Sequence, residues 1–508
     1  MTGTFSIVSV MQQLLADITL FSAAASGIRL RNYQRQAAEE IVKSVMDQQG
    51  KSFVVMFPRQ SGKNELQAQI ETYLLTVFSQ EGGEIIKISP TWKPQSINAM
   101  RRLERTLRRN VITKDLWKKE AGHIYRIGNA SITFLSGSPE SNIVGATASL
   151  LLELDEAQDI RPAKYEHEIA PMAAAGNATR VFWGTAWTAD SLLAREMQTA
   201  LKAENPDRND RRVFRINAET VFREVPAYQA FVSEQVRRLG RDHPLIRTQY
   251  FSEELNGQTS LFSPERIRKM QGNHGFLSEP EAGMRCILLI DIAGADETSL
   301  TPDQQEEQRR DATAVTICRI CNSDDGIVWQ PIRRLHWLNI PLADQNMRLL
   351  DLIQRWQPEY SVIDATGIGA GIASFLMHKM GSTRILPFIF TAGSKSRLGW
   401  DFLAMIDTCR WQEPQPVDNE HPDQIAFQQQ FFRELACCQS EILTGIDKRL
   451  KWGVPAGTRD PLSGEIVHDD LLMSAALSAA LDQKLWQGKG ETLIVPGRDP
   501  LNEMDKGY

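Results

Sequence analysis

Short apolar runs alternate with amphipathic stretches through the first half of the chain. SFVVMF at 52–57, IIKIS at 85–89, and the runs at 132–135, 150–154 and 180–183 have the length and side-chain content of buried strands. Residues 64–78 and 97–109 lie between them with helical character. Strands that alternate with helices predict a parallel sheet covered on both faces.

From about residue 256 to 283 this alternation breaks into GQTSLFSPE, QGNHG and SEPEAG, a cluster of turn formers that marks a boundary. A second α/β pattern follows, with its strands first and paired. Strands are expected at 285–290 and 314–321, with a hairpin return through 327–337; a helix over 342–356 and a strand at 360–363 come next. The polar stretch TPDQQEEQRR at 301–310 reads as an exposed insertion, and 484–508 as a loose tail. No internal repeat is visible.

The 508 residues are too many for one ordinary core and enough for two or three. With 42% hydrophobic and 24% charged residues and a mean hydropathy of -0.31, the chain is neither a polytopic membrane protein nor disordered over most of its length. No apolar run approaches the roughly 20 residues needed to span a bilayer. The opening 26 residues lack a basic start and carry Asp17, so neither export nor a membrane is expected. Six cysteines show no disulfide framework, which suits a reducing compartment such as the cytosol. Cys318 and Cys321 form a CxxC on an expected strand, where positions i and i+3 face opposite ways, and no second ligand pair accompanies them.

The net charge of -6 argues against a protein that coats nucleic acid with its whole surface. Charge is uneven, however. Residues 93–119 hold nine basic side chains (Lys93, Arg101, Arg102, Arg105, Arg108, Arg109, Lys114, Lys118, Lys119) against Glu104 and Asp115. Such a stripe is either a solvated helix face or a grip on phosphates.

VVMFPRQSGKN at 54–64 has the layout of a phosphate-binding loop: a buried strand, a tight turn, then Gly62 and Lys63 opening a helix. Backbone N–H groups and the helix N-terminus would face an anion, and the lysine would reach the outer phosphates. Phe57 stands where the pattern has its first glycine, and Asn64 where it has the Ser or Thr that touches magnesium. The supporting motif is LLLELDEAQD at 150–159. Its apolar run ends in Asp155, placed to hold magnesium through water, and Glu156, placed to orient the attacking water. Asn64 can offer its amide oxygen to the metal. Gln34, beside Tyr33, can read an adenine edge, Arg59 can stabilise phosphate charge, and Gly184, Thr185 and Ala186 follow a strand where they can sense the γ-phosphate.

In the second half, LLIDIAG ends a strand at Asp291, SVIDATGIGAG ends another at Asp364, and VHDDLLMSAAL puts Asp469 and Asp470 at a helix start. Singly, such acids are commonly caps or turn residues. Together they suggest a concentration of negative charge that divalent cations would neutralise, with Asp470 as the preferred third ligand and Asp469 as a shared one. Two metals would activate a water and stabilise a leaving oxygen of a phosphodiester. His468 and Asp311 stand nearby in sequence; a hydrogen-bonding role suits the first and a turn role the second.

In this order the motifs resemble the large terminase subunit of tailed bacteriophages, over about residues 29–482. The resemblance is carried by Tyr33 and Gln34, RQSGKN at 59–64, LELDEAQD, GTA, LIDIAG, IDATGIGAG and HDDLLMSAAL. It implies an α/β chain with an N-terminal P-loop ATPase of the ASCE type at 29–256 and a C-terminal ribonuclease H-like nuclease at 284–485. An extension at 1–28, a linker at 257–283 and a tail at 486–508 complete the expected organisation. The implied ATP site comprises Gln34, Arg59, Gln60, Ser61, Gly62, Lys63, Asn64, Asp155 and Thr185, with Mg2+ on Asp155 and Glu156 as the catalytic acid. The implied nuclease site places Mg2+ or Mn2+ on Asp291, Asp364, Asp469 and Asp470. The implied function is ATP-driven packaging of double-stranded DNA into a procapsid and endonucleolytic cutting of the concatemeric genome. Implied partners are a small terminase subunit and the portal protein, with a homo-oligomeric ring acting in the bacterial cytoplasm. Many relatives carry arginine beside the glycine of NIVGA, where this chain has Val144; the candidates for an arginine acting in trans are Arg101, Arg102 and Arg105. Two other readings are a helicase or repair translocase fused to a nuclease, which would need a second motor domain after residue 283, and a non-catalytic assembly protein that kept an ATPase fold.

Overall fold

The computed structural model describes residues 7–205, 210–255, 261–292, 312–323, 326–338, 340–417, 420–443, 448–460 and 464–486. The chain divides into two compact units, Met1–Gln258 with Ile442–Lys448, and Thr259–Glu441 with Arg449–Tyr508.

The first unit is built on eight strands: β1 (Ser52–Met56), β2 (Gly83–Ser89), β3 (Trp117–Glu120), β4 (Ile124–Ile127), β5 (Ala130–Ser136), β6 (Leu151–Leu154), β7 (Thr179–Gly184) and β8 (Val213–Arg215). They form one sheet in the order β3-β4-β5-β2-β6-β7-β1-β8. All pairs from β5 to β8 are parallel, and β3 and β4 add an antiparallel edge. The period-two geometry of a strand divides β1 between two cores. Phe53 and Val55 face one apolar cluster, while Val54 and Met56 face the other. That two-sided burial is why β1 reads as an unbroken apolar run. β3, β4 and β8 escape the sequence pattern, because WKKE carries no apolar alternation and the other two are only four and three residues long. Exposed lysines on the β3 edge also discourage further strand pairing.

The second unit holds β9 (Cys286–Asp291), β10 (Ala312–Ser323), β11 (Gly326–Leu338), β12 (Tyr360–Asp364) and β13 (Ile385–Phe388), in the order β11-β10-β9-β12-β13. The β11, β10 and β9 pairs are antiparallel, and β9, β12 and β13 run parallel. This mixed sheet is the arrangement expected of a ribonuclease H-like unit. Cys286, Leu288 and Ile290 of β9 pack with Leu349, Ile353, Ile372 and Leu376 from the helices Leu342–Trp356 and Gly369–Met380. On the opposite face the helix Asp470–Ala476 is tied to the sheet by Ser474, whose hydroxyl donates to the Leu289 carbonyl at 2.9 Å.

The segment expected as a linker contains the helix Pro264–Lys269, where Arg266 holds both carboxylate oxygens of Asp407 at 2.8 and 3.0 Å. The helix Ala479–Trp486 lies almost wholly within the expected second domain, with Leu481 fully buried, and its last residues run into the stretch expected as a tail. The insertion at 301–310 and Asp311 lie outside the described residues. Cys318 is buried, and Cys321 lies against Gln330 at 3.3 Å. Among the described residues no helix is long and apolar enough to cross a membrane.

Candidate functional site

In the first unit, β1 runs into a loop that ends at Gly62, the N-cap of the helix Lys63–Val77, with φ at 91°. A Cβ here would also lie 2.7 Å from Gln34 Nε2 and push that side chain aside, but it is the left-handed backbone that calls for glycine. The helix Asn32–Met46 braces the loop. Tyr33 and Arg31 each donate to the Ser61 carbonyl, at 2.7 and 2.8 Å, and Gln34 donates to the Gly62 carbonyl at 2.9 Å. Gln34 is 4% exposed and accepts from the Arg31 N–H, so its amide supports the loop instead of standing clear to read a base. On the other side Arg59 N donates to the Gln249 carbonyl at 2.8 Å, and Tyr228 donates to the Arg59 carbonyl. Ser61 is buried, with its hydroxyl on the Pro58 carbonyl, while Arg59 and Gln60 are exposed. With these loop carbonyls held, the first N–H groups of the helix, which have no intrahelical acceptor, remain for an anion.

β7 lies between β1 and β6, so the strand ends at Met56, Gly184 and Leu154 stand side by side. Asp155 follows β6 and accepts from Gln67 at 3.0 Å and from the Glu156 N–H. Glu156 adopts a left-handed φ of 46°, rare for a residue with a side chain. Lys63 Nζ donates to Glu156 Oε1 at 2.7 Å, joining the two motifs directly. Gln158 donates to Glu156 Oε2 at 2.7 Å and accepts from the Thr185 N–H at 3.2 Å. Thus Lys63, Asp155, Glu156 and Thr185 converge. Asn64 is exposed on the first turn, and it is Gln67 that reaches Asp155 from this helix.

Burial works to raise the Glu156 carboxyl, but the Lys63 ammonium and the hydrogen bonds from Lys63 and Gln158 outweigh it and hold the group below its ordinary range. For Asp159, one turn on, burial prevails over the attraction of Lys448 and pushes the carboxyl up to about 6. Beneath the site, Lys87 of β2 donates to Gln67 at 2.9 Å and to Glu71 at 2.5 Å, all three buried. Its register partner Glu153 accepts from Trp183 and is driven well above the carboxylate range by desolvation, which the nearby lysine only partly offsets.

In the second unit, β9 and β12 are parallel neighbours, so Asp291 and Asp364 emerge from adjacent strand ends. Asp470 opens its helix and accepts from the Ala312 N–H at 3.3 Å, while Ala314 pairs with Asp291. His336 Nε2 lies 3.5 Å from the same Asp470 oxygen. Asp469 points elsewhere: its Oδ2 accepts from Val454 N–H at 3.3 Å and lies 3.9 Å from Lys395 Nζ. Burial raises the Asp291 carboxyl well above its ordinary range, reinforced by Asp470, then Asp364, then Asp469. Asp291 therefore lies within electrostatic reach of the other three carboxylates. Among the described residues, no three His, Cys, Asp or Glu side chains are gathered tightly enough to hold a metal ion. The donor chemistry nevertheless suits a hard cation, since mutual repulsion among carboxylates is what a divalent ion relieves.

No family model matches the chain. Among solved structures, the chain is similar to the large terminase of a thermophilic bacteriophage, at 10% identity and a TM-score of 0.49 over 89% of this chain and 98% of that one. It is also similar to the HK97 bacteriophage large terminase, at 12% identity and a TM-score of 0.39 over 92% and 99% of the two chains. A large terminase nuclease from thermophilic phage G20c with bound magnesium covers 44% of this chain and 96% of its own, at 15% identity and a TM-score of 0.31. A 33-residue stretch is 48% identical to ribosomal RNA large subunit methyltransferase M of Chromohalobacter salexigens. It spans 6% of this chain and only 9% of that protein. At such scores and coverage, function is read from this chain's own residues.

Sequence patterns alone missed Gln67, Gln158, Lys395 and His336 as members of these sites. For Gln158 a signal was present: a polar side chain three positions after Asp155, followed by Asp159 and Ile160. Nothing in the sequence distinguished Lys395 or His336 from surface residues, because their partners lie 74 and 134 positions away.

Proposed function

We propose that this chain is a large terminase subunit, an ATPase that translocates double-stranded DNA and a nuclease that cuts it. The observation that carries the ATPase reading is the direct pairing of Lys63 with Glu156, the residues proposed to hold phosphate and to orient water. In this reading the helix N-terminus after Gly62 and Lys63 bind the triphosphate, and Asp155 holds Mg2+, which would supply charge neutralisation on the phosphates. Glu156 accepts the proton of the attacking water. Arg59, Gln60, Ser61 and Asn64 line the loop, and Thr185 senses the outer phosphate.

For the nuclease, Asp291, Asp364 and Asp470, with Asp469 at the rim, would have to draw closer than they stand to hold Mg2+ or Mn2+, which would supply an activated water and stabilise the leaving oxygen. The basic helix Ile97–Arg109 supplies a sequence-independent phosphate grip, with Arg101, Arg108 and Arg109 exposed. Arg102 lies 3.3 Å from Glu65 of the loop helix. A small terminase subunit, a portal and a ring of copies complete this reading, which belongs in the cytoplasm of an infected bacterium.

The test compares variants in two assays on the full chain. Lys63→Ala and Glu156→Ala should abolish DNA-stimulated ATP hydrolysis and spare manganese-dependent plasmid cutting; Asp291→Ala and Asp364→Ala should do the reverse. Loss of both activities in folded variants of either class would end the two-engine division.

A further inference from the structure

We propose that Gln158 is a positioning residue that holds Glu156 in its reactive place and ties it to the end of β7. The inference rests on the ATPase reading above and adds a residue to it.

Both carboxylate oxygens of Glu156 are engaged, Oε1 by Lys63 and Oε2 by Gln158, each at 2.7 Å. An incoming phosphate competes for Lys63, because the ammonium is the natural partner of a phosphate oxygen. Once that bond is lost, Gln158 is the remaining side-chain donor among those described for Glu156, and Oε1 becomes available to a water proton. The other end of the amide is equally committed, since Gln158 Oε1 accepts from the Thr185 N–H at 3.2 Å. A carboxylate can only accept and a backbone N–H can only donate, so the amide has one orientation that satisfies both. Glutamine suits this position because it offers a donor and an acceptor on one rigid planar group.

The surroundings leave that amide little freedom. Gln158 is 3% exposed, and its Nε2 also lies 3.3 Å from Asp159. A Cβ at Gly184 would stand 2.2 Å from Gln158 Oε1 and 2.6 Å from Leu193, so the strand end is open for this side chain only because residue 184 is glycine. Gly184 ends β7, and Thr185 begins the segment that leads from it towards the helix Leu192–Ala203. Displacement of Glu156 is thereby linked through one amide to the backbone of the neighbouring strand.

The experiment uses the purified full chain with ATP, magnesium and linear double-stranded DNA of mixed sequence. Steady-state ATP hydrolysis with and without DNA, KM for ATP and thermal unfolding are measured for the wild type, Gln158→Leu and Gln158→Glu. Gln158→Met serves as a flexible apolar replacement if leucine prevents folding. Loss of a group that orients a general base should lower kcat about tenfold or more while KM stays within about threefold. The ratio of rates with and without DNA should fall towards one, and Gln158→Glu should be slower than Gln158→Leu because two carboxylates then face each other. Unchanged kcat and an unchanged DNA ratio overturn the proposal. A parallel collapse of KM, kcat and melting temperature in all three variants also overturns it, since that is what a purely structural glutamine would give. A folded wild type that hydrolyses no ATP instead removes the ATPase reading, and the proposal with it.

Discussion

Lys63 and Glu156 are 93 positions apart in sequence and form a 2.7 Å ion pair at the ends of two strands separated by a third. The pair occupies the lysine that a phosphate would need, so nucleotide binding in the proposed mode would have to displace the carboxylate. Glu156→Gln removes the charge of the competitor along with the proposed base. The expected result is a fall in kcat of about a hundredfold or more, in the range typical for loss of a general base, with nucleotide affinity unchanged or tighter. Phosphate release and titration of a fluorescent ATP analogue read the two quantities separately.

The lysine buried beneath the site is a different case. Lys87 is 2% exposed and Glu71 1%, and they meet at 2.5 Å with Gln67 as a shared neighbour. Lys87→Met leaves the Glu71 carboxylate without its cation in a dry interior. Breaking a buried pair from one side costs about 3–5 kcal/mol. Urea unfolding should show that loss, and Lys87→Met combined with Glu71→Leu should recover part of it.

Asp159 gives the stability a pH dependence of known sign. Its carboxyl is raised from 3.8 to about 6, chiefly by burial, so between those values the folded chain binds more protons than the unfolded one. This contribution is fully present below pH 3.8 and is lost as pH rises through 6. Asp159→Asn should therefore stabilise the chain by up to about 3 kcal/mol at pH 7.5 and by about half as much at pH 5, raising the melting temperature more at the higher pH. Thermal scans of both proteins at the two pH values check it.

Asp469 and Asp470 are adjacent but differently engaged. Asp470 lies against Ala312 beside the end of β9, whereas Asp469 is held by the Val454 N–H near Lys395. Asp470→Ala should abolish metal-dependent plasmid cutting, and Asp469→Ala should leave measurable cleavage. Equal losses in the two variants would contradict the distinction. Neither variant should change ATP hydrolysis.

Much of this protein follows from local patterns. The apolar run of β1 fixes its burial on both faces, because alternate side chains of a strand point opposite ways and Phe53, Val54, Val55 and Met56 are all apolar. The helices Ile97–Arg109 and Leu342–Trp356 were legible from helical spacing, Asp291 and Asp364 from apolar runs that end in acids, and Asp470 from an acid pair that opens an apolar helix. What the sequence left open depends on which strand ends become neighbours. Placing β7 between β1 and β6 brings Gln158 to Glu156 and Thr185, and sends Gln67 to Asp155 while Asn64 stays exposed. In the second unit, the parallel pairing of β9 with β12 sets Asp291 beside Asp364, and the helix opened by Asp470 comes to the same edge. Periodicity is a property of adjacent residues, so it determines each element and its buried face. Convergence of charges is a property of chain crossing and packing, and only the tertiary structure supplies it.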